Sequence, residues 1–224
     1  MISKNIIFDD FQQNTALWCN ENVDSGELAR VADVLIKQRI SFVSVMPDMV
    51  AILWPWIENT NTRILSRFYL KDKKITEEQL SELTVNINNV FKNGADGAMV
   101  FLPCAALTSL VEQTHVVRGD LFFNKYLSVC VDVAEIDSCD WEGLFQNLQK
   151  INASALTLTL NKDTGDKSDF VGRIYGMLES WNTENNFDLH FVLGQDFYRI
   201  EQVLRLIKSV KPELINNVKC FVNY

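Results

Sequence analysis

The sequence contains few glycines and prolines, and it lacks the short motifs that mark the common catalytic and nucleotide-binding sites. It has 9 glycines and 4 prolines in 224 residues. No GxGxxG, P-loop, GxSxG or HExxH pattern occurs. These absences argue against a dinucleotide-binding turn, a P-loop nucleotide site, a serine-hydrolase nucleophile and a zinc-peptidase helix.

Cysteine is sparse and has no metal-binding spacing. The count of 5 is odd, no CxxC pair occurs, and the positions are scattered: Cys19, Cys104, Cys130, Cys139 and Cys220. This usage predicts neither a disulfide framework nor a structural zinc site, and it is typical of a reducing compartment. No signal-peptide pattern opens the chain. We therefore expect a cytoplasmic protein.

Positive charge is also in short supply. The net charge is -8 and the isoelectric point is near 4.8, with no basic stripe. This balance argues against a nucleic-acid partner. The longest apolar run is too short to cross a bilayer, so we expect no membrane partner either.

The chain does contain a regular alternation of apolar runs and helix-like stretches. Eight runs read as strands, and they cover residues 15–20, 41–46, 63–70, 98–102, 127–133, 155–160, 189–193 and 218–222. Seven of them are followed by stretches with helical periodicity, at 25–37, 49–54, 76–92, 105–116, 140–150, 170–181 and 197–210. Strands that alternate with helices predict a parallel sheet with right-handed crossovers.

Eight such units favour a closed (β/α)8 TIM-like barrel that lacks the final outer helix. The alternative is an open, doubly wound sheet. We expect one barrel domain over residues 1–224, in which residues 1–14 form an N-terminal segment or a plug at the bottom of the barrel. Helix 7, the N-terminal segment or a partner subunit would then cover strand 8.

The alternation within each strand predicts which side chains point into the barrel. One parity must be apolar to pack against the helices, whereas the other faces the interior and tolerates polar groups near the top. In the sixth run the leucines 156, 158 and 160 share one parity. Thr157, Thr159 and Asn161 therefore point inward. Applied to the other strands, this test gives a polar set of Asn20, Arg67, Tyr69, Asp132, Thr159, Asn161, His190 and Asn223.

Three members of this set can do chemistry. Arg67 implies a carboxylate partner or an anionic ligand, because a buried arginine is costly unless its charge is compensated. Its partner is either Asp132, in an internal ion pair, or a substrate carboxylate or phosphate. His190 is either a core residue or a proton shuttle, and Asp132 orients it or acts as the base.

Other kinds of site are less favoured by the residues. Lys162 follows strand 6 and is the candidate for a Schiff-base lysine, but its parity is outward and its loop is strongly polar. The inward acids and His190 make a thin ligand set, so we predict no metal and no cofactor. Gly194-Gln195-Asp196 supplies a single glycine and a carboxylate where such barrels usually hold phosphate.

Two tryptophans, Trp54 and Trp56, flank Pro55 at the end of the second predicted helix, where the proline should break or kink it. They mark either a homo-oligomer contact or packing onto the next helix.

The polar interior supports two hypotheses about function. The first is a metabolic enzyme of lyase or isomerase type that uses acid–base chemistry on a small anionic, oxygen-rich substrate at the C-terminal face of the barrel. His190 and Asp132 would be catalytic, and Arg67, Tyr69, Asn20, Asn161, Thr159 and Asn223 would bind substrate. The alternative is a non-catalytic barrel that binds a ligand or a protein partner and has a structural polar interior.

Overall fold

A computed structural model of the chain describes residues 9–117, 125–137, 140–160, 167–182, 184–194 and 196–224. Within these residues, eight parallel strands close into a barrel in sequence order. They are β1 (Thr15–Trp18), β2 (Phe42–Val45), β3 (Arg63–Tyr69), β4 (Gly97–Phe101), β5 (Tyr126–Asp132), β6 (Ala155–Thr159), β7 (Asp188–Val192) and β8 (Val218–Asn223). The (β/α)8 barrel is confirmed, and the open sheet is wrong because β8 pairs with β1.

In the same described ranges, seven helices surround the strands. They are α1 (Ser25–Gln38), α2 (Pro47–Ile57), α3 (Glu77–Lys92), α4 (Leu107–Val117), α5 (Trp141–Lys150), α6 (Lys167–Ser180) and α7 (Phe197–Val210). Short 3-10 segments occur at Asp9–Asn14, Cys104–Ala106, Val133–Glu135 and Pro212–Asn217.

Two helices begin with reciprocal side-chain caps that fix where the connecting loops end. Asp24 caps α1 by accepting from the backbone N–H of Glu27 at 2.8 Å, and Thr76 caps α3 through Gln79 at 3.2 Å. In both cases the third helical residue reaches back to the N–H of the capping residue. Each exchange satisfies backbone donors that a helix start leaves unpaired.

The outer face of β8 is buried against other parts of the described chain. Val218, Cys220 and Val222 are at most 2% exposed. The 3-10 segments Asp9–Asn14 and Pro212–Asn217 contact each other, and the first also contacts β8. Asn14 joins them by donating to the carbonyls of Ile215 and Val218. Residues 9–14 therefore lie at the amino end of β1 and β8. Residues 1–8 lie outside the described part, and both the plug and the single-domain organisation stay predictions.

The α2 helix does not end at its proline. Pro55 lies inside Pro47–Ile57, so the expected break is wrong. Trp54 packs closely over Gly94, which lies just after α3 and has a positive φ of 105°. A Cβ atom at Gly94 would overlap the indole of Trp54. Trp54 and Trp56 remain 41% and 57% exposed. This contact supports packing onto the next helix for Trp54, and a homo-oligomer contact through this surface stays a prediction.

The predicted alternation divides the buried side chains into two groups. The outward row of each strand packs with the helices in one large core. A second, smaller cluster fills the barrel itself, with Ala16, Phe42, Leu65, Met99, Cys130 and Phe221 as its buried members. None of the helices in the described ranges is long and apolar enough to cross a membrane.

Gly97 leaves room inside the barrel for Leu65 and Tyr126 on the neighbouring strands. We therefore expect its replacement to destabilise the protein. A Cβ atom at Gly97 would lie 2.4 Å from the carbonyl oxygen of Tyr126 and 2.8 Å from a methyl of Leu65. We expect Gly97→Ala to lower the free energy of unfolding by about 1–3 kcal/mol through overpacking. Urea unfolding measures this. Gly143→Ala in α5 is the matched control, since its Cβ meets nothing within 4 Å, and it should stabilise by about 0.5–1 kcal/mol. Equal effects of the two substitutions would contradict the prediction.

Candidate functional site at the mouth of the barrel

The carboxyl ends of the parallel strands gather several of the predicted polar residues at one mouth. Tyr69, Asp132 and Asn223 are the last residues of β3, β5 and β8, and Thr159 is the last of β6. Asp132 and Thr159 face each other across neighbouring strands. Tyr69 is 43% exposed, and the other three are half-buried. This is the end of a (β/α)8 barrel at which active sites occur.

Arg67 lies two residues deeper on β3 and is 1% exposed. Its guanidinium carbon is 4.0 Å from the centre of the Trp18 ring, a cation–π arrangement. Nη2 donates to the carbonyl oxygen of Cys19 at 2.5 Å. Nε and Nη1 are buried and have no hydrogen-bond partner among the described residues. The guanidinium thus has two buried donor nitrogens just below the mouth that the described residues leave without a hydrogen bond.

The neighbours of Arg67 do not neutralise its charge. Burial lowers the pKa of Arg67, and nearby Tyr69, Cys19 and Glu21 oppose that shift. Burial also raises the pKa of Tyr69 and brings the pKa of Cys19 to about 12, so both groups are neutral at pH 7. Glu21 is exposed, so solvent screens its attraction.

The ion pair between Arg67 and Asp132 is wrong: no salt bridge joins these two described side chains. Asp132 instead accepts from the backbone N–H of Ala134 at 2.9 Å, at the start of the 3-10 turn that follows β5. Thr159 donates to the carbonyl of Val131 at 3.3 Å. The anionic ligand, the other explanation for the buried arginine, stays a prediction.

The remaining predicted binding residues are less well placed or are not described. β1 ends at Trp18, so Asn20 lies in the following loop and is exposed. Its contact with a ligand stays a prediction. Asn161 and Lys162 lie outside the described residues, and their predicted roles stay predictions.

His190 points into the barrel as predicted, but the structure does not bring it to the mouth. It is fully buried among side chains from the amino ends of the strands. Its Nε2 is 3.1 Å from the hydroxyl of Tyr126, which donates to Asp188 at 2.7 Å. Its ring lies 5.6 Å from that of Phe42, and Lys219 is close enough to influence its protonation. The expected convergence of Arg67, Asp132 and His190 is therefore wrong.

Phe221 separates the two polar regions. Its ring centre is 5.5 Å from that of His190 below and 6.3 Å from that of Trp18 above. The guanidinium of Arg67 lies over the Trp18 ring. The rings of Trp18 and Phe221 therefore form an aromatic layer between the arginine and the histidine. A proton shuttle from His190 to a ligand on Arg67 would have to cross this layer.

The hydrogen bonds around Tyr126 also fix the state of His190. The single hydroxyl proton of Tyr126 goes to the Asp188 carboxylate, which can only accept. Nε2 of His190 is therefore the donor to the phenol oxygen, and its unpartnered Nδ1 carries the lone pair. Burial, assisted by Lys219, lowers the pKa of His190 to about 3. Such a histidine is a neutral structural residue at pH 7.

Several residues that define the two regions were missed from the sequence. Trp18 points inward by the same alternation, but nothing in the sequence indicates that its ring contacts Arg67. Tyr126 and Asp188 precede the predicted fifth and seventh strands by one residue, so the alternation was not extended to them. Continuing the parity of Ser128 and His190 backward by two residues would have found both.

No metal centre is indicated by the part of the chain that the structure describes. It contains no group of three or more histidine, cysteine or acidic side chains arranged to hold an ion. The described cysteines Cys19, Cys104, Cys130 and Cys220 are free thiols. A cytoplasmic location stays a prediction, as does the lack of a cofactor.

Comparison with known proteins supports the fold and goes no further. No family model and no curated protein sequence matches the chain. Several solved structures do match over most of both chains. The deoxyribose phosphate aldolase from Aeropyrum pernix, described as tetrameric, has a TM-score of 0.67 and 10% identity over 95% of this chain and 86% of its own.

Two further structures show the range of proteins with this architecture. One, named QR15, an aldolase, has a TM-score of 0.65 and 8% identity, covering 96% of this chain and 92% of its own. The other is the putative copper homeostasis protein CutC from Streptococcus agalactiae, with a TM-score of 0.62 and 10% identity over 93% and 98% of the two chains. At these identities the similarity establishes a (β/α)8 barrel and leaves the activity to be argued from the site.

Because the buried His190 is neutral in the folded protein, it should make stability depend on pH. Its folded pKa of about 3 lies below the unfolded value of 6.5. The unfolded chain therefore takes up the proton first as the pH falls, and stability is lost between these values. We expect a loss of about 1 kcal/mol between pH 7 and 5.5 that His190→Phe removes.

Urea unfolding of both proteins at the two pH values measures this difference. His115→Gln, which changes the other histidine of the chain, is the control and should keep the wild-type dependence. A His190→Phe variant with an unchanged pH dependence would show that His190 is not the titrating group.

Proposed function

We propose that the mouth of the barrel binds a small anionic, oxygen-rich molecule through Arg67, and that the protein is a lyase-type enzyme using acid–base chemistry there. The observation that carries this proposal is the buried guanidinium with two unpartnered nitrogens. A buried charge without a protein counter-ion is costly. Nε and Nη1 lie on opposite edges of the guanidinium plane, so each edge offers an N–H for a charge-assisted hydrogen bond to a carboxylate or phosphate oxygen.

Asp132 is the proposed proton-transfer group. It is a half-buried carboxylate at the carboxyl end of β5, where a ligand held by Arg67 would be within the same mouth. Tyr69 and Thr159 supply hydroxyl groups beside it, and Asn223 supplies an amide. His190 has no part in this proposal, because it lies below the aromatic layer around Phe221.

A lysine-based covalent route has little support among the described inward positions. The lysine found there is Lys219, near the amino end of β8, and it donates to the carbonyl of Gln13 at the bottom of the barrel. Lys162 is the other candidate, and its outward parity argues against it. Non-covalent acid–base chemistry is therefore the better hypothesis, and the aldolase names of similar barrels support a lyase over an isomerase.

The second candidate is a binding protein without catalysis. The observation that favours it is the position of His190, a predicted proton-transfer group that lies below the mouth and away from Asp132. The two candidates share the role of Arg67 and differ in the role of Asp132, so they can be tested separately.

The role of Arg67 predicts that Arg67→Met weakens anion binding without unfolding the protein. Loss of a charge-assisted contact of about 1.5–3 kcal/mol should weaken affinity roughly 10- to 100-fold. An apolar side chain of similar length should keep or raise the melting temperature. Calorimetric titration with pyruvate and with inorganic phosphate, alongside thermal unfolding, measures both effects.

Arg63→Met is the matched control for this experiment. Arg63 lies on the same strand, near the Phe42 and Tyr126 rings at the opposite end of the barrel. Its replacement should leave anion affinity unchanged. If Arg67→Met lowers the melting temperature and keeps the affinity, Arg67 is structural and the proposal fails.

The role of Asp132 predicts proton exchange at the carbon next to a bound carbonyl. We expect the protein to exchange the methyl protons of pyruvate in deuterated water, and Asp132→Asn to slow this at least 100-fold while affinity changes less than about threefold. Proton NMR measures the exchange. His190→Phe, the control, should keep the wild-type rate. Anion binding without any exchange would favour the non-catalytic barrel.

A further inference from the structure

The mouth of the barrel has an aromatic half and a polar half. The aromatic half comes from β1, β3 and β4, whose inward side chains include Trp18, Tyr69 and Phe101. The Tyr69 and Phe101 rings are stacked, with centres 4.8 Å apart and planes inclined by 24°. Trp18 meets Phe101 edge to face at 5.8 Å. The polar half consists of Asp132, Thr159 and Asn223 at the ends of β5, β6 and β8.

These rings form a continuous wall beside Arg67. Trp18 lies under the guanidinium, Phe101 packs against Trp18, and Tyr69 packs against Phe101. Trp18 and Phe101 are half-buried, and Tyr69 is 43% exposed. Large aromatic side chains left partly open at a concave mouth favour a ligand with an apolar, flat surface.

The same mouth is poorly built for phosphate. In barrels of this kind, phosphate is usually held by backbone N–H groups after strands 7 and 8 and at a helix N-terminus. Here the N-terminus of α7 is already capped by Asp196, which accepts from the N–H of Arg199 at 3.0 Å and also pairs with its guanidinium. A carboxylate in that position repels a phosphate dianion.

From this combination we infer that the ligand of the mouth is a carboxylate attached to a planar, apolar body, such as an aryl-substituted unsaturated acid, and not a phosphorylated sugar. The inference rests on the proposed function, since Arg67 holds the carboxylate. The planar body would lie along the ring wall, next to Tyr69, with its polar substituents toward Asp132 and Thr159.

Calorimetric titration with four named probes tests this inference. Cinnamate offers a carboxylate on a planar body, 3-cyclohexylpropionate a non-planar apolar one, acetate the carboxylate alone, and ribose 5-phosphate the sugar phosphate. We expect cinnamate to bind at least tenfold more tightly than the other three. Tyr69→Leu should weaken cinnamate about 3- to 10-fold, in line with the loss of one aromatic contact, and acetate less than twofold. Tyr69→Phe should retain the affinity for cinnamate.

The outcomes separate this inference from the proposed function. If ribose 5-phosphate binds more tightly than cinnamate, or if Tyr69→Leu leaves the affinity for cinnamate unchanged, the aromatic ligand class is wrong. If Arg67→Met still removes the binding in that case, the role of Arg67 stands. If no probe binds in a manner that depends on Arg67, the proposed function itself fails. Cinnamate selectivity that is lost in Tyr69→Leu and kept in Tyr69→Phe supports both.

Discussion

Pairing of β8 with β1 is the constraint on which the other features depend. The backbone register that joins Ala16 to Phe221 and Trp18 to Asn223 closes the sheet. Once closed, every strand has one row of side chains inside and one outside. The interior holds few side chains at each level, so a single polar residue there acquires a defined set of neighbours from several strands. Both Arg67 and His190 owe their surroundings to this closure.

The buried side chains of His190 and Arg67 can both carry a positive charge, and the protein compensates for their burial in different ways. His190 avoids charge altogether: its donor nitrogen bonds to Tyr126, and its other nitrogen stays unprotonated. Arg67 has no neutral form at ordinary pH, and it compensates only in part, through the Trp18 ring and one carbonyl. A neutral, hydrogen-bonded group is a stable end point for a protein interior. A guanidinium with unpartnered donors leaves hydrogen-bonding groups unsatisfied in the protein interior.

Much of this structure could be predicted from the sequence because the period of a strand is two. The alternation of leucines in β6 was enough to place Thr157 and Thr159 inside, and the same rule placed Arg67 and His190. Parity says nothing, however, about height along the barrel axis, which depends on the stagger between strands. Arg67 and His190 therefore read as equivalent, although one lies under the mouth and the other near the base. The contact of Arg67 with Trp18 is likewise a product of stagger and could not be read from spacing.

The ring of Phe221 has a consequence for how such a barrel can change over time. It divides the interior into a lower compartment, where Tyr126, His190 and Asp188 hold each other, and an upper one that opens to solvent. Substitutions above the ring can therefore accumulate without breaking the hydrogen bonds beneath it. One phenylalanine thus makes the side chains at the two ends of the barrel structurally separate.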